Sequence, residues 1–293
     1  MKRVVLLGAT SMLGREVERQ LRLVGMDVTR AGRSEDCDVV IDLGSGKPLK
    51  WTKQCEADVL IHCAAAFYGD DPEGIQSNFR TNVLGAVDTL ELAKRMGCDR
   101  IVYAGSLSSE VLLEPERPMT SYGMSKLEAE RVLNWGVTKE GGTFCSLRFT
   151  QLCDTEGLCC MHQPWFGRII AYASRGLILR MPESEGPRNF LHVSDAARLL
   201  IESARSNLSG VYSVTHPRDV DLYALALEAC EMFGQGGQVQ IDGNKQPFRK
   251  IFLPDDRHVF DVLSLEPEVD ASHVLRLIQE AGTASRFGPV DVQ

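Results

Sequence analysis

The sequence predicts an α/β fold: a doubly wound parallel sheet covered by helices on both faces, with a smaller C-terminal α/β region for substrate. Three observations carry this. Short, nearly all-apolar strand signals alternate with helical stretches up to Arg148, which is the pattern of a parallel sheet buried on both faces. A glycine-bearing turn, Gly8 to Gly14, joins the first strand to the first helix. Beyond Arg148 the alternation loosens into loop-rich sequence.

The elements follow in order. Arg3–Leu7 is a short apolar strand ending in glycine, and Leu13–Val24 places Leu13, Val17, Leu21 and Val24 along one side of a helix. Asp27–Ala31, Val39–Ile41 and Val59–Ile61 read as the second, third and fourth strands. Asn82–Met96 is helical through Val83, Ala86, Leu90 and Ala93; Arg100–Tyr103 is the fifth strand, Tyr122–Leu133 a helix and Phe144–Leu147 the sixth strand. Residues 151–188 are loop-rich around a helix at Phe166–Ser174. Strand, helix, strand and helix follow at Phe190–Val193, Asp195–Arg205, Val211–Val214 and Leu222–Phe233. A last helix covers Ala271–Glu280, and the tail Thr283–Gln293 is expected to fray. The division expected is a dinucleotide-binding domain over 1–155, with a returning segment at about 189–215. Residues 156–188 and 216–293 then form the substrate-binding region.

Composition narrows the function classes. The 293 residues are 44% hydrophobic and 25% charged, with a net charge of −8. That is ordinary globular composition, without a basic patch for nucleic acid and with an acidic balance that disfavours anionic membranes. The apolar run after Met1 stops at Gly8, too short for a signal h-region, and no stretch is long enough to span a membrane. The nine cysteines are odd in number and contain no C-x-x-C pair; this fits reduced thiols in a cytoplasmic setting, with Cys159-Cys160 as free loop cysteines. No metal-ligand spacing occurs, so no metal is expected.

The first turn has the context of a dinucleotide fingerprint: Gly8 follows a strand and Gly14 opens a helix. The middle position, where the backbone nears a pyrophosphate, is Ser11, whose hydroxyl suits a phosphate. A plain βα turn is the bland alternative. The end of the second strand, Arg30-Ala31-Gly32-Arg33-Ser34, holds no carboxylate for a ribose diol. Arg33 offers a fork for a 2′-phosphate, so NADP(H) is expected over NAD; a solvated loop arginine is the alternative. Asp42-Leu43 fits an adenine edge or simple turn chemistry.

The chemistry centres on Ser106 and on Tyr122-Gly123-Met124-Ser125-Lys126. A tyrosine and lysine four apart share one helix face. An ammonium beside a phenol favours the phenolate, so Lys126 is expected to lower the Tyr122 pKa toward neutrality. Beside a dinucleotide, that set moves a hydride and a proton at a carbon–oxygen centre.

These residues resemble the short-chain dehydrogenase/reductase superfamily in its extended, epimerase/dehydratase-like branch, over roughly residues 1–215. Seven segments match in order. They are Gly8–Gly14, Asp58–Ala65, Asn82–Gly85, Ile101–Ser106, Ser121–Glu130, Ser146–Arg148 and Arg188–Asp195. The resemblance implies a Rossmann fold and an NAD(P)-dependent oxidoreductase. Tyr122 would be the general acid or base, Lys126 would lower its pKa and hold the nicotinamide ribose, and Ser106 would bond the substrate oxygen. Thr10, Ser11, Met12 and Leu13 would lie along the cofactor with the two glycines. Ala64 and Ala65 would lie beside it, Phe149 and Thr150 near the nicotinamide, and Asn82 behind the lysine. Arg188, and Arg257 with it, would reach a substrate phosphate; a structural ion pair is the alternative for Arg188. Family dehydratases carry an Asp-Glu after the catalytic Ser or Thr, whereas here Glu110 stands only at the fourth position after Ser106.

The expectation is NADPH-dependent reduction of a ketone, on a 4-keto nucleotide sugar. An NAD-dependent nucleotide-sugar epimerase, a reductase of a small non-sugar carbonyl and a cofactor-binding sensor stand as alternatives. Phe67, Trp165 and Phe166 are aromatic candidates for the pocket mouth. His62 and His192 read as packing histidines. The resemblance further implies a homodimer through the helices Asn82–Met96 and Tyr122–Leu133.

Overall fold

The structure, a computed structural model, describes residues 1–51, 56–110, 118–184, 186–248, 251, 253–254 and 258–291. It divides into two compact units: Met1–Phe149 with Ala196–Val214 and the segment carrying the helix at 258–263, and the remainder.

The first unit is built on a sheet of β1 (Arg3–Leu7), β2 (Asp27–Gly32), β3 (Val39–Val40), β4 (Lys50–Trp51), β5 (Val59–His62), β6 (Arg100–Ser106), β7 (Thr143–Phe149) and β11 (Gly210–Val214). Their order is β11-β7-β6-β5-β1-β2-β3-β4, parallel except for the β3–β4 edge pair. The centre is apolar on both faces: Val4, Val5, Leu6 and Leu7 are each at most 1% exposed. Each such side chain contributes about 1.5–3 kcal/mol over leaving it in water. The helices are α1 (Met12–Leu23), α2 (Pro72–Asn78), α3 (Gly85–Arg95), α4 (Ser121–Lys139), most of α6 (Val193–Arg205) and α8 (His258–Leu263). Leu13, Val17 and Leu21 form the buried stripe of α1, as their spacing dictates.

Two helical readings change. Asn82–Met96 is not one helix: a π-helical turn, Phe79–Leu84, joins α2 to α3. α2 itself escapes a periodicity search because it is seven residues long, although Asp71 caps it and Pro72 opens it.

In the second unit β8 (Gln151–Cys153) pairs in parallel with β10 (Phe190–His192), and β9 (Ile178–Met181) with β12 (Gln238–Ile241). Around them α5 (Pro164–Ser174) packs on α7 (Leu222–Phe233), and α7 on α9 (Ala271–Ala281). As far as Asp291 the tail is docked rather than frayed. Phe287 is 2% exposed, and Asp291 accepts from Arg168 at 2.5 Å and from the Tyr172 hydroxyl at 3.0 Å.

Candidate active site

In a parallel sheet the carboxyl ends of the strands share one edge, where such folds hold their ligands. Parallel registers carry Gly8 after β1, Arg33 after β2, Ala64 after β5, and Ser106 and Phe149 at the ends of β6 and β7 to that edge. Ser106 and Phe149 are register partners. The strand order reverses between β1 and β5, so the glycine turn lies at the switch point.

Gly8 sits at φ +87°, and a Cβ there would lie 2.5 Å from the Ala64 amide nitrogen. At Gly14 a Cβ would fall 2.1 Å from the Gly8 carbonyl oxygen. The turn is therefore a cradle that only glycine permits. α1 has no carboxylate in its first turn, and the N–H groups of that turn lie beyond the reach of its own carbonyls. Together with the helix dipole this fits a pyrophosphate. Thr10 is exposed; Leu13 is buried in the core, so only its backbone is open to a cofactor.

Ser11 does something other than expected. Its hydroxyl accepts the Gly14 amide at 3.0 Å and donates to the Cys63 carbonyl at 3.3 Å. It caps α1 and ties the turn to the end of β5, so its oxygen is engaged by the protein rather than held for a phosphate.

At the end of β2, Arg30 is taken up by Glu18 at 3.4 Å and Asp36 at 3.4 Å. Asp36 also accepts from the Ser34 hydroxyl. Arg33 is exposed and forms no ion pair among the described residues. Asp42 lies 3.6 Å from Lys47, while the Leu43 side chain is buried against Gly85.

The catalytic candidates come together. Ser106 lies near enough to the Tyr122 phenol to favour its ionised form, and the Phe67 ring meets Tyr122 edge-on with centroids 4.6 Å apart. Thr120 caps α4 by accepting the Gly123 amide at 3.1 Å, which fixes the turn bearing Tyr122. Lys126 is buried; its Nζ donates to the Ala104 carbonyl at 2.7 Å and lies 4.0 Å from the Tyr103 ring centroid.

The electrostatics correct one expectation. The Tyr122 phenol is not lowered: burial pushes it above its ordinary value, and Ser106 only partly offsets this. Burial acts on the lysine instead, pulling Lys126 down to about 7 against the upward pull of Cys63 and Glu130. One of the ammonium's three donors goes to Ala104, and the influences on Tyr122 are burial and then Ser106, with no contribution from Lys126. His62 is buried beside Tyr103 and held neutral, its pKa pulled down to about 3 by burial and then by Lys126.

Sequence reasoning gave no role to the group behind this site. Glu130, one turn beyond Lys126, is 5% exposed. It accepts from Ser146 Oγ at 2.6 Å and from Arg148 Nε and Nη2 at 3.0 and 2.6 Å. Glu110 lies 3.8 Å from Arg148 and accepts from the Ser213 hydroxyl. A charged residue four after the lysine on a buried helix face was the available signal. Asn82 bonds Ala66 and Ser125 rather than Lys126.

In the second unit, Thr150 donates to the Asn189 carbonyl at 3.0 Å. Arg188 is buried, donates to the Gly186 and Pro187 carbonyls at 3.4 and 3.1 Å, and lies 5.6 Å from the Phe248 ring. Trp165 meets Phe248 edge-on at 4.8 Å, with Arg168 and Lys245 at 5.6 and 5.8 Å from its ring. Phe166 is core, 1% exposed and packed on Phe190, so it is no pocket aromatic. Arg257 lies outside the described residues. Among the described residues no cluster has the composition of a metal site, and no helix is long and apolar enough to cross a membrane.

This fold and site are those of an NAD(P)-dependent enzyme of the short-chain dehydrogenase/reductase type. Residues 4–214 match the NAD dependent epimerase/dehydratase family, and the chain belongs to it. No curated protein matches it in sequence. Among solved structures it is similar to the UDP-N-acetylglucosamine 4-epimerase of Bacillus cereus. That match has a TM-score of 0.77 and 20% identity, covering 96% of this chain and 99% of that one. It is also similar to MoeE5 in complex with UDP-glucose and NAD, with a TM-score of 0.75 and 21% identity, covering 97% and 99%. RMD from Pseudomonas aeruginosa, complexed with NADPH, gives 0.73 and 19%, covering 96% and 100%.

Proposed function

We propose that this enzyme reduces a ketone to an alcohol with NADPH, on a 4-keto nucleotide sugar. One observation supports the direction: Arg33 is exposed and forms no ion pair among the described residues, which suits the 2′-phosphate of an exchangeable NADPH. Tyr122, protonated at neutral pH, is the proton donor. NADPH, when bound, supplies the hydride. Ser106, beside Tyr122, would orient the carbonyl oxygen. As the carbonyl carbon gains the hydride, its oxygen takes the Tyr122 proton, and one ketone becomes one secondary alcohol. Lys126, near half-protonation at neutral pH, is suited to return a proton toward the phenol.

Arg33 supports NADPH, being exposed while Glu18 and Asp36 are engaged by Arg30. The cofactor's pyrophosphate would be held by the Gly8–Gly14 turn, its adenine by Asp42 and the Leu43 backbone, and its nicotinamide side by Ala64, Ala65, Phe149 and Thr150. The nucleotide-sugar reading rests on similarity to proteins whose structures are described with UDP-sugars, and on Trp165 and Phe248 flanked by Arg168, Arg188 and Lys245. Such a set offers both a π-face and positive charge. Phe67, against the phenol, would contact the reacting sugar.

A second reading, an NAD-dependent epimerase, is favoured by the likeness to a 4-epimerase and by the carboxylates Glu35, Asp36 and Asp38 just past β2. The two are separated by mixing the protein, NADPH and a panel of UDP- and TDP-4-keto-hexoses. Stoichiometric loss of nicotinamide absorbance, abolished in Tyr122→Phe, is the expected result. Interconversion of the parent sugars without added NADPH would establish the epimerase instead.

We also propose a homodimer through α2–α4, where Ile75, Leu84, Val87, Met124 and Trp135 are exposed. An apolar face of this kind is characteristic of a protein–protein contact.

A further inference from the structure

We infer that Asn78 is a positioning residue for Tyr122. In one set of three hydrogen bonds it fixes the loop that carries Phe67 and the helical turn that carries Tyr122. Asn78 closes α2 and is fully buried. Its Oδ1 accepts the Tyr68 amide at 3.0 Å, and its Nδ2 donates to the Tyr68 carbonyl at 3.2 Å and to Ser121 Oγ at 2.9 Å. One turn later Asn82 repeats the arrangement. It accepts the Ala66 amide at 2.8 Å and donates to the Ala66 carbonyl at 3.0 Å and to Ser125 Oγ at 2.9 Å.

Asn78 and Asn82, four apart where α2 passes into the π-helical turn, grip alternate residues of the loop, Tyr68 and Ala66, each through both main-chain groups. Ser121 and Ser125, also four apart, put the other ends of the clamp on α4. Asp70 adds a third tie by accepting the Ser121 amide at 2.8 Å. Between the two gripped residues stands Phe67, and its ring meets Tyr122. Tyr122 stands next to Ser121. Asn78 therefore holds both partners of the Phe67–Tyr122 contact without touching either ring. Asn82 belongs to a segment that resembles the family pattern; Asn78 lies outside every such segment.

The catalytic meaning of this arrangement rests on Tyr122 being the proton donor, but the test does not need turnover. The full chain is labelled with 3-fluorotyrosine, and the Tyr122 fluorine resonance, one of six tyrosines, is identified by its loss in Tyr122→Phe. Phe67→Ala calibrates the shift due to the neighbouring ring. The expected result is that Asn78→Ala moves the Tyr122 resonance at least half of the way to its Phe67→Ala position. The double variant moves no further than Phe67→Ala alone. Asn78→Asp, which keeps the acceptor for the Tyr68 amide, gives an intermediate shift. Should Asn78→Ala fail to fold, Ser121→Ala, which removes only the α4 end, is read the same way. An unmoved resonance in a folded Asn78→Ala or Ser121→Ala protein overturns the proposal, as does full additivity in the double variant. A lower melting temperature with the resonance in place would make Asn78 merely structural.

Discussion

Arg148 holds Glu130 with two nitrogens, Nε at 3.0 Å and Nη2 at 2.6 Å. The pair joins β7 to α4 one turn beyond Lys126, and Ser146 completes it. Glu130 raises the affinity of Lys126 for its proton, while the pair keeps that carboxylate satisfied in the interior. Lys126 thus has a buried counter-charge that is itself neutralised, and this leaves burial as the dominant influence on the lysine.

Breaking that pair from one side leaves the half-buried Arg148 without its main partner. Glu130→Gln is expected to destabilise by about 3–5 kcal/mol. Ser146→Ala removes one hydrogen bond and leaves the ion pair, so about 1 kcal/mol is expected. Urea unfolding followed by circular dichroism compares them; equal losses would contradict the network.

Gly8 and Gly25 separate backbone strain from lack of space. Both have positive φ, +87° and +72°, but a Cβ at Gly25 meets nothing within 4 Å. Gly25→Ala is expected to cost only the left-handed penalty, about 1–2 kcal/mol. Gly8→Ala must also displace the Ala64 backbone, so it should lose more stability and lose nicotinamide cofactor binding. Thermal melts and fluorescence titration check this; similar melting temperatures for the two variants would refute the cradle.

The buried lysine has a signature in pH. Lys126 releases its proton at about 7 when folded, against 10.5 ordinarily. Between those values the unfolded chain binds more protons, so this group's contribution to stability rises with pH there; below 7 its penalty is complete. Lys126→Met carries no such penalty. Its melting temperature relative to the parent should be most favourable near about pH 6 and decline toward about pH 10. A difference that stays constant or grows with pH would place the lysine in a charged, solvated state.

The apolar face of α2–α4 makes the dimer testable. Val87→Glu puts a charge on a residue that is 57% exposed, so it should leave the isolated fold intact. Light scattering is expected to give a dimeric mass for the parent chain and half of it for the variant. A monomeric parent would refute the dimer.

Much of this was legible in the sequence because local signals and tertiary structure agree. α7 runs from Leu222 to Phe233 as its periodicity states, and β1 and β5 show the apolar runs Val4–Leu7 and Val59–Ile61. The strands β4, β8, β9 and β12, of two to four residues, are too short to display a period and exist through their partners. The chemistry divides in the same way. Spacing brings Tyr122 and Lys126 to one helix face, but the direction of the Lys126 ammonium depends on the Ala104 carbonyl, 22 residues away. The Ser11 hydroxyl is turned inward by Cys63, 52 residues away. Polar side chains choose partners distant in sequence, which no local pattern records.

The most direct measurement is a titration of the purified protein with NADPH and with NADH, followed by nicotinamide fluorescence, on the parent chain and on Arg33→Ala. The account predicts exchangeable binding that favours NADPH, with the preference lost in Arg33→Ala and NADH binding unchanged. Co-purified NAD with no preference for NADPH would contradict the reductase reading, and binding of neither would contradict the cofactor site itself.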